Sequence, residues 1–120
     1  MPKKDAVIFD LNNTLRKKSG KPRHSVLKKA KKDEKKEQVV VVSGEPNKNY
    51  SEARGWLDSH NLSNAMLDMR PKNEKEPDSV EKAHLLTHRL SKQFKIKKAY
   101  DDKPSNVKMF KSHGIKAKEV

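Results

Sequence analysis

"VIFDLNNTL", residues 7–15, carries a short apolar run straight into an aspartate and a polar turn. The runs AVIF (6–9) and VVVV (39–42) are continuous apolar blocks, the pattern of strands that are buried on both faces of a parallel sheet. Weaker blocks at 65–69, 96–100 and 115–120 predict further strands. The pattern therefore indicates a sheet of five strands.

Apolar residues at helical spacing fall between these blocks. The predicted helices cover 25–37, 50–60, 79–94 and 104–114. Pro104 and Gly114 are the start and stop residues expected of the last helix. This alternation of strands and helices predicts an α/β fold whose parallel sheet is covered on both faces.

Two of the predicted helices carry apolar stripes that would face the core. We interpret Trp56, which shares a stripe with Ala53 and Leu57, as a core residue rather than a platform for stacking bases. The stripe of the helix over 79–94 consists of Val80, Ala83, Leu86, Leu90 and Phe94.

Length and composition favour one small, highly solvated domain over residues 1–120, with no room for a separate cap domain. Only 32% of the residues are hydrophobic and 38% are charged. The chain has no cysteine, which excludes disulfides and thiolate metal sites and fits a cytoplasmic location. No apolar run approaches the length that a membrane span requires.

The net charge is +13, and the positive excess is concentrated in residues 16–36 and 92–98. A field of this size attracts polyanions, so nucleic acid or another phosphate-rich partner is expected. The alternative is a lysine coat that only keeps the protein in solution.

Three predicted strands end in residues that can do chemistry: Asp10, Ser43 and the pair Asp101–Asp102. Ligands of parallel α/β sheets bind beyond the carboxyl ends of the strands. Alone, Ser43-Gly44 would be an ordinary turn and the aspartate pair a helix cap. Together and in this order, they are typical of a phosphoryl-transfer site.

At these positions the sequence resembles the haloacid dehalogenase (HAD) superfamily of phosphatases, and within it the 3′-phosphatase domain of phage-type polynucleotide kinase. The four motifs of the superfamily have counterparts in VIFDLNNTL, in VVVVSG, in Lys82 of PDSVEKAHLL and in AYDDKPSN. The closer likeness lies in the SG…ARGWL stretch and in DDKPSNVKMFKSHGIKAKEV. The resemblance implies a three-layer Rossmann-like fold with a central five-stranded parallel sheet and no large cap.

The resemblance also implies the site. Asp10 would be the nucleophile, and Lys82 would offset the phosphate charge and orient Asp10. Mg²⁺ would be held by Asp10, the backbone carbonyl of Asn12 and Asp102, with Asp101 and Asn106 in support. Phosphoryl oxygens would be bound by Thr14, Ser43 and Gly44. A basic flap near 16–24 would contact nucleic acid through Arg16, Lys17, Lys18, Lys21 and Arg23.

Asn12 departs from the superfamily pattern, in which a second aspartate protonates the leaving group and then activates water. An amide can do neither, so turnover is in doubt. The residue is consistent with a natural pseudoenzyme, with a slow phosphatase or with an engineered substitution. Glu45 also departs, since an arginine follows the Ser-Gly pair in the polynucleotide phosphatases. The hypothesis is a phosphatase of polynucleotide ends; the alternative is an inactive nucleic-acid-binding or regulatory protein of the same fold.

The five histidines invite a metal hypothesis, because His84 and His88 would share one helix face. No glutamate stands as in an H-E-x-x-H motif and no third ligand is evident. We interpret all five as surface residues.

Overall fold

The computed structural model describes residues 3–70 and 89–120. Its five strands are β1 (Lys4–Asp10), β2 (Gln38–Pro46), β3 (Met66–Arg70), β4 (Phe94–Asp101) and β5 (Lys116–Glu119). They form one sheet in the order β3-β2-β1-β4-β5, and every neighbouring pair is parallel. The five-stranded parallel sheet expected from the sequence is confirmed.

The helices follow the predicted order with shifted ends. They are α1 (His24–Glu34), α2 (Tyr50–Ser59), a single turn α3 (Ser91–Gln93) and α4 (Pro104–Ser112); a 3₁₀ turn over Asn47–Asn49 precedes α2. Pro104 is the first residue of α4, and Gly114 lies just beyond its end at a φ of +77°. Proline and glycine therefore start and stop this helix as expected.

Two apolar cores form, one on each face of the sheet. Val7 and Phe9 of β1 pack with the apolar side of α1 and α2, whereas Ala6 and Ile8 pack on the opposite face with Phe110 of α4. The residues of β2 alternate in the same way. Continuous apolar runs are needed here because successive side chains of a strand point to opposite faces, and both faces are covered.

The predicted C-terminal end of the third helix, at residue 94, is wrong. Phe94 has extended backbone angles and begins β4, where it packs against the core on the face covered by α4. Leu90, from the same predicted stripe, is buried as expected. The rest of that helix, over 79–88, lies outside the described residues.

Asp68 is a buried charge on the edge strand β3. Arg89 donates to its carboxylate at 3.0 Å and ties the chain before α3 to β3. Burial nevertheless raises the pKa of Asp68, because the loss of hydration outweighs the attraction of a guanidinium that is itself largely exposed.

The chain leaves β1 towards β2 on one side, and β4 later pairs with β1 on the other. The carboxyl end of β1 is therefore a topological switch point, where such sheets place ligand crevices. The architecture is the Rossmann-like α/β fold that the resemblance implies, and the described residues include no large cap. None of the described helices is both long and apolar enough to cross a membrane.

Candidate active site

The carboxyl edge of the sheet brings together the aspartates that end β1 and β4. Phe9 lies opposite Tyr100, and their rings stack with centroids 4.7 Å apart. The next residues, Asp10 and Asp101, therefore leave the sheet at the same level on neighbouring strands. This placement follows from the strand register alone.

Asp10, Asp101 and Asp102 form a compact carboxylate cluster. One oxygen from each lies within 4.8 Å of the others. Asp10 and Asp101 are only 6% and 1% exposed, and Asp102 is half-buried. The buried Thr14 hydroxyl lies 3.0 Å from Asp10 Oδ2 and 3.3 Å from Asp102 Oδ1, so it links the acids of the two strands.

Asp101 is oriented by the start of α4. Its Oδ1 accepts a hydrogen bond from the Lys103 backbone N–H at 3.0 Å, and its Oδ2 accepts one from the buried Asn106 amide at 3.1 Å. Both oxygens of Asp101 are thus engaged within the protein. Asp101 and Asn106 have the geometry of a support for the cluster.

The cluster fits a hard divalent cation. Three carboxylates this close together repel one another strongly when they are largely removed from water. A cation relieves that repulsion, and an all-oxygen donor set suits Mg²⁺. The described residues thus offer a site that matches the metal implied by the sequence.

A tight turn after β1 holds Asn12 and Thr14 beside Asp10. The Leu11 carbonyl accepts backbone hydrogen bonds from Leu15 at 3.0 Å and Arg16 at 2.9 Å. Asn13 has a φ of +63°, a conformation that asparagine tolerates better than most residues with a side chain. The fully buried Leu11 and Leu15 anchor the turn in the core.

The Asn12 side chain is held by an arginine. Its Oδ1 accepts hydrogen bonds from Arg16 Nε at 3.3 Å and Nη2 at 3.0 Å. Arg16 Nη1 donates to Glu52 of α2 at 2.8 Å, and the guanidinium lies 5.7 Å from the centre of the Trp56 ring. Arg16 is only 7% exposed, although the sequence predicts it as a nucleic-acid contact. Nothing in the sequence pattern indicates Glu52, which is remote along the chain and becomes a partner only when α2 packs beside the turn.

This network leads to a prediction for Arg16→Met. The substitution removes the hydrogen bonds that the Arg16 guanidinium donates to Asn12 Oδ1 and to Glu52. We expect the free energy of unfolding to fall by about 1–3 kcal/mol in chemical denaturation. Lys17→Met is the matched control, because Lys17 is exposed, and it should change stability by about 0.5 kcal/mol or less. Equal effects of the two substitutions would contradict the structural role of Arg16.

The basic segment after the turn folds back on itself. The Lys17 N–H donates to the Lys21 carbonyl at 2.8 Å, and Gly20 occupies the turn at a φ of +89°. Lys17, Lys18 and Lys21 are exposed, whereas Arg23 is half-buried and donates to the Asn13 carbonyl at 2.8 Å. The exposed lysines are the members of the predicted contact set that a polyanion can reach directly.

Trp56 is less buried than the sequence predicts. Its indole N–H donates to the Gly20 carbonyl at 2.8 Å, and its ring stacks on His60 with centroids 4.0 Å apart. A tryptophan needs a partner for its N–H, and the basic segment supplies one at the edge of the core. Trp56 therefore connects α2 to that segment. His24 and His113 are exposed and His60 is half-buried; His84 and His88 lie outside the described residues.

A cleft of about 320 Å³ adjoins the turn, and Asn12, Lys18 and Trp56 are among its lining residues. It lies between the basic segment and α2. A larger groove of about 510 Å³ lies near the amino end of β4 and has no carboxylate in its lining. Of these two cavities, the cleft is the one lined by residues of the turn that follows Asp10.

The other predicted site residues are placed in part. Ser43 is 1% exposed and directly follows Val42, the register partner of Asp10, so it lies just beyond the same edge of the sheet. Gly44 continues β2 past Ser43. Lys82 lies outside the described residues, and its role stays a prediction.

The comparisons with known proteins agree with this architecture. A family model described as "Polynucleotide kinase PNKP phosphatase domain" matches residues 4–120. Two solved structures, described as "Structure of Pnkp1/Rnl/Hen1 complex" and "Structure of the Pnkp1/Rnl/Hen1 RNA repair complex", match with TM-scores of 0.91 and 0.88 at 20% and 22% sequence identity. Each match covers 98% of this chain but only 46% and 42% of the matched chains of the two solved structures. No curated protein matches the chain.

Proposed function

The chain belongs to the family of the polynucleotide kinase PNKP phosphatase domain, within the HAD superfamily, and on this premise we propose that it is a Mg²⁺-dependent hydrolase of phosphomonoesters at polynucleotide ends. The observation that carries the proposal is the cluster of Asp10, Asp101 and Asp102, buried or half-buried at the switch point of the sheet. A buried carboxylate at the end of the central strand is positioned to act as a nucleophile.

Asp10 would attack the phosphorus atom and form an aspartyl-phosphate. The P–O bond to the nucleoside breaks, and the ester oxygen leaves and takes up a proton from water. Water then attacks the aspartyl-phosphate, which regenerates Asp10 and releases inorganic phosphate. A carboxylate nucleophile thus divides one difficult hydrolysis into two easier displacements.

The metal would be held by Asp10, the backbone carbonyl of Asn12 and Asp102, with Asp101 in support. Bound there, it supplies charge neutralisation between the carboxylates and the phosphate dianion. Thr14 positions the Asp10 and Asp102 carboxylates through its hydroxyl. Ser43 and Gly44 are proposed to bind phosphoryl oxygens at the same edge, and Lys82 to offset their charge.

Asn12 sets the rate. The amide has no proton of suitable acidity for the leaving oxygen and no basic lone pair for the attacking water. Arg16 also occupies the amide oxygen with two hydrogen bonds, so the side chain is built into the loop. We therefore propose slow turnover on a site that retains metal and phosphate binding.

The polynucleotide assignment is supported by charge and by shape. Exposed Lys17 and Lys18 line the cleft beside Asn12, and the chain carries a net charge of +13. Lysines in such a cleft attract the phosphodiester backbone irrespective of base sequence. Both RNA and DNA ends are candidate substrates; the solved structures with this fold include one described as an RNA repair complex.

The arrangement of Asn12 favours a second candidate function, a nucleic-acid-binding or regulatory protein without catalysis. An amide that is hydrogen-bonded to Arg16 preserves the loop without an acid and base. Such a protein would bind oligonucleotides with an affinity that falls steeply with salt and ignores a terminal phosphate.

The deciding experiment measures Mg²⁺-dependent phosphate release from RNA and DNA oligonucleotides with a 3′- or a 5′-phosphate. We expect slow release that requires Mg²⁺ and that exceeds the release by an Asp10→Ala variant. Release equal to that of the variant, together with binding that ignores the phosphate, would support the binding protein instead. Release without Mg²⁺ would contradict the metal assignment.

A further inference from the structure

A second concentration of positive charge lies on the sheet face beside α1, apart from the 16–24 segment. It surrounds a groove of about 310 Å³, here called the lysine groove. Four lysines line it, with Tyr100 and two alanines between them: Lys29 of α1, Lys98 of β4, and Lys116 and Lys118 of β5.

The groove exists because α1 leaves the β4–β5 edge of this face open. Val7 and Phe9 belong to the core under α1, and their register partners in β4 are Lys98 and Tyr100. Alternation along the strand therefore places Lys98 on the same face as Tyr100, two residues further on. Tyr100 is 4% exposed at the edge of the core, whereas Lys98 is exposed.

The register concentrates like charges. Lys98 lies directly opposite Lys116, and Tyr100 lies opposite Lys118. Like charges directly opposite each other destabilise a strand pair. The Lys29 ammonium lies 5.6 Å from the centre of the Tyr100 ring. The Tyr100 side chain, with a smaller contribution from Asp33, raises the pKa of Lys29 further above its usual value, which already leaves a lysine charged at neutral pH.

Protection of a sheet edge explains only part of this arrangement. Lysines on an edge strand discourage pairing with other chains, which accounts for Lys116 and Lys118. Lys98 is on β4, which pairs with strands on both sides, and Lys29 is on a helix. An anionic ligand in the groove accounts for all four.

Along β4 and β5 the groove lies next to the catalytic edge. Tyr100 immediately precedes Asp101, and the Val120 N–H beyond β5 donates to the Asp101 carbonyl at 3.0 Å. We propose that the lysine groove binds the phosphodiester backbone of the polynucleotide strand whose phosphorylated end occupies the Asp10 site. The inference rests on the proposed function and extends it to a second contact surface.

The lysines act as point charges and read no bases. The affinity gained from the groove should depend on strand length and on salt, but not on sequence. A nucleoside 3′-phosphate has no further phosphodiester for the groove to bind, so the groove should add little to its affinity.

The test is the double variant Lys98→Gln/Lys116→Gln, measured by fluorescence anisotropy with a 3′-phosphorylated 12-mer of single-stranded RNA. We expect Kd to rise about tenfold at low salt, and the slope of log K against log salt to fall by about 1.4, or 0.7 for each lost contact. Competition by a nucleoside 3′-phosphate should be unchanged. The fold should stay intact, because the two lysines are like charges that repel each other across the strand pair. Lys118→Gln serves as a single-site test with a smaller effect.

Lys108→Gln/Lys111→Gln is the matched control. Both lysines are exposed on α4, which packs on the other face, and the change in net charge is the same. Equal weakening by the two double variants would overturn the proposal, since it would show a general charge effect. Unchanged RNA binding, with lost binding to phosphatidylserine vesicles, would also overturn it and assign the groove to a membrane.

The two proposals fail separately. RNA binding that depends on the groove, in a protein that releases no phosphate, would support the groove proposal and contradict the phosphatase proposal. Phosphate release with the same KM for the 12-mer in the groove variant and in the unaltered protein would support the phosphatase proposal and contradict the groove proposal.

Discussion

Asn12→Asp is expected to raise the rate of phosphate release from a phosphorylated oligonucleotide by about 10²–10⁴-fold. The new carboxylate would stand in the loop beside Asp10, where it can protonate the leaving oxygen and then accept a proton from the attacking water. A gain of this size corresponds to a barrier lower by about 3–5 kcal/mol. The change should appear in kcat under saturating substrate and Mg²⁺, because the amide and the acid differ little in size.

Arg16 makes this substitution favourable for the fold. Its guanidinium already donates twice to Asn12 Oδ1, and one oxygen of a carboxylate accepts the same two bonds in a charge-assisted form, which leaves the second oxygen for proton transfer. Asn12→Ala is the control, because it removes the amide without supplying an acid, and its rate should stay at or below that of the unaltered chain. A rate unchanged by the aspartate would show that proton transfer does not limit turnover, and that Asn12 is not the reason for slow catalysis.

The sheet could be predicted from the sequence because its determinants are local. The runs AVIF and VVVV satisfy both faces of a parallel strand, and proline and glycine mark the ends of α4. The strand register then carries Asp10 and Asp101 to one place. A strand position and a fold class were enough to anticipate the carboxylate cluster.

The Arg16 network could not be predicted because its parts are distant along the chain. Arg16 opens a run of basic residues and has the sequence environment of a solvated cation. It is buried because α2 brings Glu52 and Trp56 to the turn that follows β1. The helical prediction for Phe94 is wrong for a related reason. Its spacing from Leu90 suits a helix, but Phe94 pairs with Lys4 of β1 and belongs to β4.

The lysine groove is likewise a property of register rather than of sequence. Lys98 and Lys116 are ordinary members of basic stretches until β4 and β5 pair and place them opposite each other. Counting charge along the chain indicates a polyanion partner, but only the paired strands show where a second contact can form.

Asp10→Asn is expected to abolish turnover and to weaken the metal site. In the Asn12→Asp background, phosphate release should fall by at least about 10⁴-fold, because no carboxylate remains to form the aspartyl-phosphate. Without Mg²⁺ the variant should unfold at a higher temperature than the unaltered chain, since it relieves the repulsion among three carboxylates within 4.8 Å. Differential scanning fluorimetry and a phosphate-release assay measure the two effects on the same samples.

Mg²⁺ separates the role of Asp10 as a ligand from its role as a nucleophile. At a concentration 100-fold above Kd, a metal bound only to the folded chain adds about 2.7 kcal/mol of stability, and the Asp10→Asn variant should lose most of that gain. Asp58→Asn is the matched control, because Asp58 is an exposed carboxylate on α2 that is paired with Arg54, and it should keep the full Mg²⁺ response. Loss of turnover with an intact Mg²⁺ response would confine Asp10 to nucleophilic attack and move the metal to Asp102. A Mg²⁺ response absent from the unaltered chain as well would mean that the carboxylate cluster binds no Mg²⁺, and the metal-dependent mechanism would have to be abandoned.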